Sequence, residues 1–445
     1  MVKTDQHAGR VGDREARRIA FAAFVGTALE WYDFFLYGTA ASIVFNRLYF
    51  TTGDPLVAML AAFASFAVGF VARPVGAAVF GHVGDRYGRR KSLLITVTMI
   101  GVVTSLIGLL PDAAAIGVLA PLLLTLLRVL QGVAVGGEWG GAVTLAVEHA
   151  PVERRGRYAA LPQLGSPVGT LLSSGAFALV SLLPPESFDS WGWRLPFLAA
   201  IPLLLVALYL RLRVEESPLF AEVLERQDRS SLPVVEVLRT APGRVLVGVC
   251  ASLLGVGGFY LLTTFAISYG TETLGLSRSL MLGATLVAAA VEIGVLLAFG
   301  RLSENLGSGR ACAMGSAASA VVAFPVFWMI DTGSPWLVIG AITAGVACLS
   351  STYAVAGSLL TDLFPPHLRY SGVSLAFNLA GVVSGFVPFV ATSALAATGS
   401  QSWSVALVLV VLSVLTGLGG LLSTKLRVDD AAPTGRGPDE AGTAR

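Results

Sequence analysis

Charged residues are scarce in this sequence. Only 13% of its 445 residues are Asp, Glu, Lys or Arg, against about 25% in an ordinary soluble domain. Hydrophobic residues make up 55% of the chain, and the mean hydropathy is +0.75. Because so apolar a chain cannot present enough polar surface to water, its solvent must be lipid. The net charge of +2 is too small to indicate nucleic acid as a partner.

The residue patterns that build metal, redox and nucleotide sites are also missing. Cys250, Cys312 and Cys348 lie inside apolar runs without metal or redox spacing, and we interpret them as packing residues. The four histidines lie outside the apolar runs or at their ends. There is no phosphate-binding loop, nucleophile elbow or filter-like segment. The sequence therefore argues against an enzyme, an ATP-driven pump and a channel, and it predicts no metal and no cofactor.

What the sequence does contain is long apolar runs. A membrane-spanning helix needs about 20 mostly apolar residues, and every backbone polar group in lipid must be bonded internally. We therefore predict an all-α integral membrane protein with twelve transmembrane helices. The predicted spans are 20–45, 56–81, 92–110, 117–148, 157–183, 194–213, 243–270, 279–300, 309–330, 335–362, 369–396 and 403–426.

Basic residues are divided unevenly between the two sides of this arrangement. With the N-terminus placed inside, all but five of the 30 Lys and Arg residues fall on the inner side. Cytoplasmic segments of membrane proteins carry such an excess. The pattern predicts a multi-pass protein of the plasma (inner) membrane with both termini in the cytoplasm. The five exceptions are Arg47, Arg73, Arg128, Arg194 and Arg278.

An internal repeat divides the chain in two. A glycine, a carboxylate four residues later and a glycine three residues further recur in 81–90 and 300–310, at an offset of 219 residues. Parallel repeats of this kind place a substrate site near the middle of the membrane between the two halves. The predicted organisation is a cytoplasmic tail over 1–19, a six-helix half over 20–213, a central cytoplasmic loop over 214–242, a second six-helix half over 243–426 and a disordered tail over 427–445.

The first copy of this repeat has a specific composition: Gly81, Asp85, Arg86, Gly88, Arg89 and Arg90. It resembles the signature loop of the major facilitator superfamily. The resemblance implies that these residues form a gating loop, which braces helices in one state of an alternating-access cycle. In the second copy, Glu304-Asn305 stands where Asp-Arg is usual, and this weakens the expectation of symmetric gating by both halves.

Further motifs cover nearly the whole chain, in the stretches 26–38, 69–76, 128–141, 193–197, 216–218 and 369–372, with Asn378. Together they resemble one branch of the superfamily, the metabolite:proton symporters related to carriers for proline and betaine, 2-oxoglutarate, citrate and shikimate. The resemblance implies the major facilitator fold and a chain that works as a monomer. Its partners would be a small-molecule substrate, protons and the lipid bilayer.

Carboxylates within the spans are candidates for proton coupling, because an ionisable side chain deep in lipid is costly and needs a partner or a function. Glu30 and Asp33 are three residues apart and share one face of the first span. Two close carboxylates repel each other when both are ionised, which suits a proton-binding site. A structural ion pair with Arg73 or Arg128 is the alternative.

Glu138 in the fourth span is a third candidate for proton movement, and a bond to a neighbouring helix is its alternative. It lies beside Gly132, Gly136 and Gly140, whose four-residue spacing predicts close contact with another helix. In the second half, Glu292 is the one deep acid and is a further candidate for a coupling residue.

Arginine within a span points to a carboxylate ligand, because the guanidinium group grips a carboxylate through two parallel bonds. Arg128, one turn before Gln131, is the leading candidate for binding substrate, and a structural ion pair is nearly as well supported. Arg73 lies nearer the inner end of its span and is the second candidate, although its side chain could instead reach the interface. The other candidate cavity-lining residues are Tyr32, Tyr260, Tyr353 and Asn378.

These observations predict a secondary active transporter that carries a small metabolite together with protons. An organic acid is favoured because the chain lacks the long charged coiled-coil tail of some osmosensing relatives. A symporter of a zwitterionic osmolyte such as proline or betaine and a drug/proton antiporter are the alternatives. A sensor that does not transport is a further one.

Overall fold

The computed structural model describes residues 13–87, 89–136, 154–212, 233–365 and 368–428. Within these ranges the regular secondary structure is helical. Six helical runs, α1 to α6, make up the part before the central segment, which we call the first half. Their bounds are Asp13–Ala40 continued by a π-helical turn Ala41–Phe45 and by Asn46–Leu48 (α1), Pro55–Tyr87 (α2), Arg89–Leu109 (α3), Leu119–Val135 (α4), Arg155–Gln163 with Gly165–Val180 (α5), and Leu195–Leu198 with Ala200–Leu212 (α6).

Six further runs, α7 to α12, make up the second half. They follow a short amphipathic helix, Pro233–Thr240. Their bounds are Pro242–Leu253 continued through π-helical turns to Thr273 (α7), Arg278–Leu306 (α8), Ser308–Asp331 (α9), Pro335–Leu363 (α10), Arg369–Gly385 with Val387–Ala397 (α11), and Trp403–Leu426 (α12).

Many of these helices are fit to cross a bilayer. Among the described residues, seven helices are long and apolar enough by length and composition. Three shorter apolar helices lie within α3, α4 and the start of α6. The seven are Pro55–Phe80, Pro242–Thr273, Arg278–Leu306, Ser308–Asp331, Pro335–Leu363, Ser371–Ala397 and Trp403–Leu426.

The helical runs are consistent with the twelve predicted spans, the fourth of which continues into residues outside the description, and several runs extend further. The helix α2 continues to Tyr87 and α3 begins at Arg89, so the predicted loop 81–90 is mostly helix. The helix α8 likewise continues past residue 300 to Leu306, and Gly307 ends it with a φ of +82°. The prediction was too short because hydropathy marks only the part of a helix that lies in the hydrocarbon core. The central segment 213–232 and the tail 429–445 lie outside the described residues.

Glycines let α2 and α4 pack backbone against backbone. A Cβ atom added at Gly132 would collide with the carbonyl oxygen of Gly69, and one at Gly136 would collide with that of Arg73. A Cβ atom at Gly76 would meet the carbonyl oxygen of Val133. The predicted glycine contact is confirmed for Gly132 and Gly136, while Gly140 lies outside the described residues. This packing fixes the position of Arg128, one turn away from Gly132.

We predict that Gly132→Val destabilises the fold, because its side chain would have to displace the α2 backbone. Overpacking of this kind costs about 1–3 kcal/mol. Thermal unfolding of the purified protein in detergent should show a clearly lowered midpoint. The matched control is Gly294→Val in α8, where an added Cβ atom has no neighbour within 4 Å. Equal midpoints for the two variants would contradict this explanation of the glycine.

Candidate functional site

Four charged side chains are buried together in the first half. Glu30 and Asp33 of α1 are 3% and 2% exposed, Arg73 of α2 is 2% exposed, and Arg128 of α4 is fully buried. We call these four residues the charge cluster. It contains two acids and two bases, so its members can neutralise one another away from water.

Glu30 is held by Arg73. The Nη2 atom of Arg73 lies 3.4 Å from Oε1 of Glu30. The suggestion that the Arg73 side chain reaches the membrane interface is therefore wrong. The physical reason is the acid one helix away, since a partner carboxylate inside the protein compensates the guanidinium charge without exposure to water.

Asp33 and Arg128 are joined through an amide and not directly. Arg128 Nη1 donates to Oε1 of Gln131 at 2.5 Å, and Nε2 of Gln131 donates to Oδ1 of Asp33 at 2.5 Å. The Thr104 hydroxyl of α3 donates to the same Asp33 oxygen. Sequence reasoning paired Gln131 with Arg128 but missed Thr104, which looks like any other threonine in an apolar helix.

Aromatic rings enclose both arginines. The Cζ atom of Arg73 lies 3.9 Å from the centre of the Phe34 ring, and that of Arg128 lies 4.3 Å from the same ring and 4.3 Å from the Tyr37 ring. Desolvated cation–π contacts are worth about 2 kcal/mol each. The Nε and Nη2 atoms of Arg128 make no hydrogen bond within the described residues. Arg128 thus retains donor capacity in a closed, apolar setting.

The charge cluster borders the second half through Tyr260 of α7. The Tyr260 ring packs edge-on against Phe66 and Phe70, with centroids 5.1 and 5.3 Å apart. Its hydroxyl group has no hydrogen-bond partner in the described part of the chain. Tyr353 of α10 meets the edge of Trp31 at 6.2 Å. Both predicted lining tyrosines of the second half therefore lie at the interface with α1 and α2.

The other candidate residues are distributed differently. The Tyr32 hydroxyl donates to the carbonyl of Pro196 in α6, at 2.6 Å, and so engages its own half. Asn378 of α11 donates to the carbonyl of Gly136 across the interface at 2.9 Å. Glu138 and Gly88 lie outside the described residues. The signature residues Gly81, Asp85, Arg86, Arg89 and Arg90 have helical backbone, and their side chains are outside the description.

The two halves touch at both ends of the bundle. At one end the Ser42 hydroxyl donates to the carbonyl of Thr264 at 2.7 Å, and Ser268 donates to the sulfur of Met59 at 3.3 Å. Between the halves lies a cavity of about 10 Å³, room for about one water molecule. In the described part of the chain, the two halves are therefore in contact on both sides of this cavity. The cavity is lined by Phe35, Thr39, Thr170, Ser174, Thr263, Thr264, Ile267 and Thr285.

At the opposite end, Arg157 at the start of α5 pairs with Glu304 at the end of α8. The Nε atom of Arg157 lies 3.0 Å from Oε2 of Glu304, and the Arg157 amide donates to Oε1 at 3.2 Å. Beside this pair, a Cβ atom added at Gly156 would meet the Gly300 carbonyl oxygen at 2.6 Å. Glu304, which departs from the usual signature sequence, thus joins the two halves directly.

Comparisons with known proteins agree with this architecture. The family model of the Major Facilitator Superfamily matches residues 23–388. The chain is 38% identical over 427 residues to the shikimate transporter of Escherichia coli, covering 95% of this chain and 98% of that protein. It is 36% identical over 398 residues to the proline/betaine transporter of Salmonella typhimurium, covering 86% of this chain and 78% of that one.

Solved structures share the fold. The crystal structure of a D-xylose–proton symporter superposes with a TM-score of 0.70 at 20% identity, covering 89% of this chain and 96% of that chain. The xylose transporter from Escherichia coli in a partially occluded, inward-open conformation also gives a TM-score of 0.70, at 18% identity. With a family model that matches most of the chain, and relatives of this identity along nearly all of it, the protein belongs to the major facilitator superfamily.

Proposed function

We propose that this chain is a proton-driven symporter that imports a small organic acid, with a cyclic hydroxycarboxylate such as shikimate as the first candidate. The observation that carries the proposal is Arg128, which is buried, enclosed by aromatic rings and left with donor atoms unused by the described residues. A carboxylate is the ligand that such a guanidinium group binds best. The similarity to the Escherichia coli shikimate transporter supports this substrate class.

Electroneutrality supplies the coupling. The charge cluster holds two positive and two negative side chains and is neutral as a set when all four are ionised. A proton bound by Asp33 or Glu30 leaves an excess positive charge in a low-dielectric site, and a substrate carboxylate cancels it. Each ligand therefore favours binding of the other, which is the requirement for symport. Gln131 transmits the change, because its amide touches both Asp33 and Arg128.

The proposed topology follows from the uneven distribution of basic residues. Both termini lie in the cytoplasm of a bacterial inner-membrane protein, so the Arg157–Glu304 end of the bundle faces the cytoplasm. The two halves, 20–213 and 243–426, rock about the charge cluster while the segment 214–242 links them. The chain works as a monomer.

A zwitterionic osmolyte such as proline or betaine is the second candidate. The Trp31 ring lies 6.4 Å from that of Tyr260 and 6.2 Å from that of Tyr353. Grouped aromatic rings bind quaternary ammonium groups, and Arg128 would take the carboxylate of the same ligand. The similarity to proline/betaine transporters supports this alternative.

We expect proteoliposomes containing the protein to accumulate radiolabelled shikimate when an inward pH gradient is imposed. Glu30→Gln and Asp33→Asn should reduce the gradient-driven accumulation at least about tenfold while leaving exchange of shikimate across the membrane measurable. Glu186→Gln, at an exposed acid in the short helix Pro185–Ser190, is the control and should behave as wild type. Full accumulation by both cluster variants would refute the coupling role. Uptake of betaine or proline in place of shikimate would favour the second candidate.

Arg128→Lys should raise the KM for a carboxylate substrate about tenfold or more, corresponding to at least about 1.4 kcal/mol, because lysine lacks the planar fork of donors. Arg194→Lys is the matched control. Arg194 also packs on an aromatic ring and donates to the carbonyls of Gly108 and Leu110, but within the first half. The control should lower the thermal midpoint without changing KM. A KM unchanged by Arg128→Lys would assign Arg128 a purely structural role.

The Arg157–Glu304 pair should favour closure of its end of the bundle. Arg157→Glu opposes two negative charges and should open that end, whereas the exchange Arg157→Glu with Glu304→Arg should close it again. Opening is measured as alkylation by a membrane-impermeant maleimide of Ala160→Cys, a buried position packed against Gly300, in a chain without the three native cysteines. Arg301→Glu, at an exposed residue of α8, controls for charge alone. Equal labelling of the single and double variants would exclude this pair as a gate.

A further inference from the structure

A second buried acid lies in the half opposite the charge cluster. Glu292 is the central residue of α8, fourteen positions from Arg278 and from Leu306, which is about 21 Å from either end at the helical rise of 1.5 Å per residue. Its side chain is fully buried. Neither carboxylate oxygen makes a hydrogen bond of standard geometry within the described residues.

The groups that face Glu292 are hydroxyls. Ser166 of α5, in the first half, and Ser350 of α10 are the side chains close enough to interact with its carboxylate. In the described part of the chain, neither of its oxygens bonds to a charged side chain. The α5 segment Gly165–Val180 contains no ionisable residue.

Of the ionisable groups on the other helices packed on α8, Glu272 of α7 and Arg310 of α9 are exposed, and Arg155 of α5 lies near Asp362. On α10, Asp362 binds Ser308 and Arg427, and the Tyr353 ring contacts Trp31. On α9, Asp331 accepts hydrogen bonds from the hydroxyls of Tyr269 and Ser402. On the first segment of α5, Arg157 pairs with Glu304. Among the residues that the structure describes, Glu292 therefore has no cation of the kind that Arg73 supplies to Glu30.

An ionised carboxylate without a cation is strongly disfavoured in such a site, since isolated buried charges cost several kcal/mol even after relaxation. A neutral carboxylic acid has one O–H donor and costs much less. We propose that Glu292 is a second proton-binding site of the carrier, protonated while the seam between α5 and α8 is closed and deprotonated when that seam opens to water. This proposal rests on the proposed function, to which it adds a proton in the half that lacks the charge cluster.

The position of Glu292 links its proton to the motion of the halves. The seam that buries it is formed by α5 and α8, the same two helices that meet at Gly156 and Gly300 and carry the Arg157–Glu304 pair. Glu292 binds a proton more tightly when the seam is closed than when it is open. Protonation therefore shifts the population of the carrier toward the closed state. Loss of that proton to an aqueous opening favours separation of the helices and resets the cycle.

Infrared spectroscopy of the full-length protein in lipid tests the proposal without any substrate. The carbonyl stretch of a protonated carboxylic acid should be present at neutral pH and should disappear on titration to alkaline pH. Glu292→Gln, which mimics the neutral acid in shape, should remove one such band, and the control Glu186→Gln, at an exposed acid of the first half, should leave it unchanged. A Glu292→Gln spectrum that retains the full carboxylic acid signal would overturn the proposal. If Glu292→Gln is not recovered folded, Glu292→Asp replaces it and must shift the band.

Transport measurements separate this proposal from the preceding one. If shikimate is carried, Glu292→Gln should keep exchange but lower its equilibrium accumulation about tenfold per unit of imposed pH gradient, the loss expected for one coupled proton. An unchanged accumulation ratio overturns the coupled second proton while leaving symport intact. Failure to carry shikimate in wild type refutes that substrate and leaves the infrared result to decide whether Glu292 binds a proton.

Discussion

Mutual neutralisation of two acids and two arginines is the interaction on which the first half depends. The four residues of the charge cluster are buried in a chain that contains few charged residues. Removing any one of them leaves an uncompensated charge away from water. In the transport cycle that we propose, the same constraint gives the cluster its role. A site that must remain neutral responds to a proton by attracting an anion. Stability and coupling thus have one physical origin.

Close backbone packing makes this cluster possible. Gly69, Gly132 and Gly136 bring α2 and α4 together so tightly that the Arg128 guanidinium passes directly over the Gly69 backbone. Its charge is then shared between Gln131 and the rings of Phe34 and Tyr37. A glycine contact that resembles ordinary helix packing therefore sets the position of the arginine that we assign to the substrate.

Two acids of α8 at the interface between the halves, Glu304 and Glu292, have different surroundings. Glu304, at the end of α8, has an arginine from the opposite half and is partly exposed. Glu292, at the centre of the same helix, is fully buried and faces hydroxyl groups. In the mechanism that we propose, Glu304 holds the seam closed through its charge, and Glu292 is compatible with a closed seam only when it is protonated. Opening of the seam reverses both conditions at once, so α8 would carry the coupling in the second half.

The sequence alone determined the helical class and the buried residues of the charge cluster, because hydropathy and the cost of charge in lipid are local properties of the chain. Its twelve spans are consistent with the structure, and its division into two six-helix halves stays a prediction. The sequence did not determine which side chains contact one another. The packing of helices far apart in sequence decides these contacts. Arg73 pairs with Glu30, and Gln131 joins Arg128 to Asp33 in place of a direct contact. Thr104 belongs to the site, and Glu304 meets Arg157. Helix ends were also misjudged, since α2 and α8 continue beyond the apolar stretch that hydropathy detects. Tertiary structure decided these features because an ion pair or hydrogen bond requires atoms within about 3 Å, and only the packed bundle brings them there.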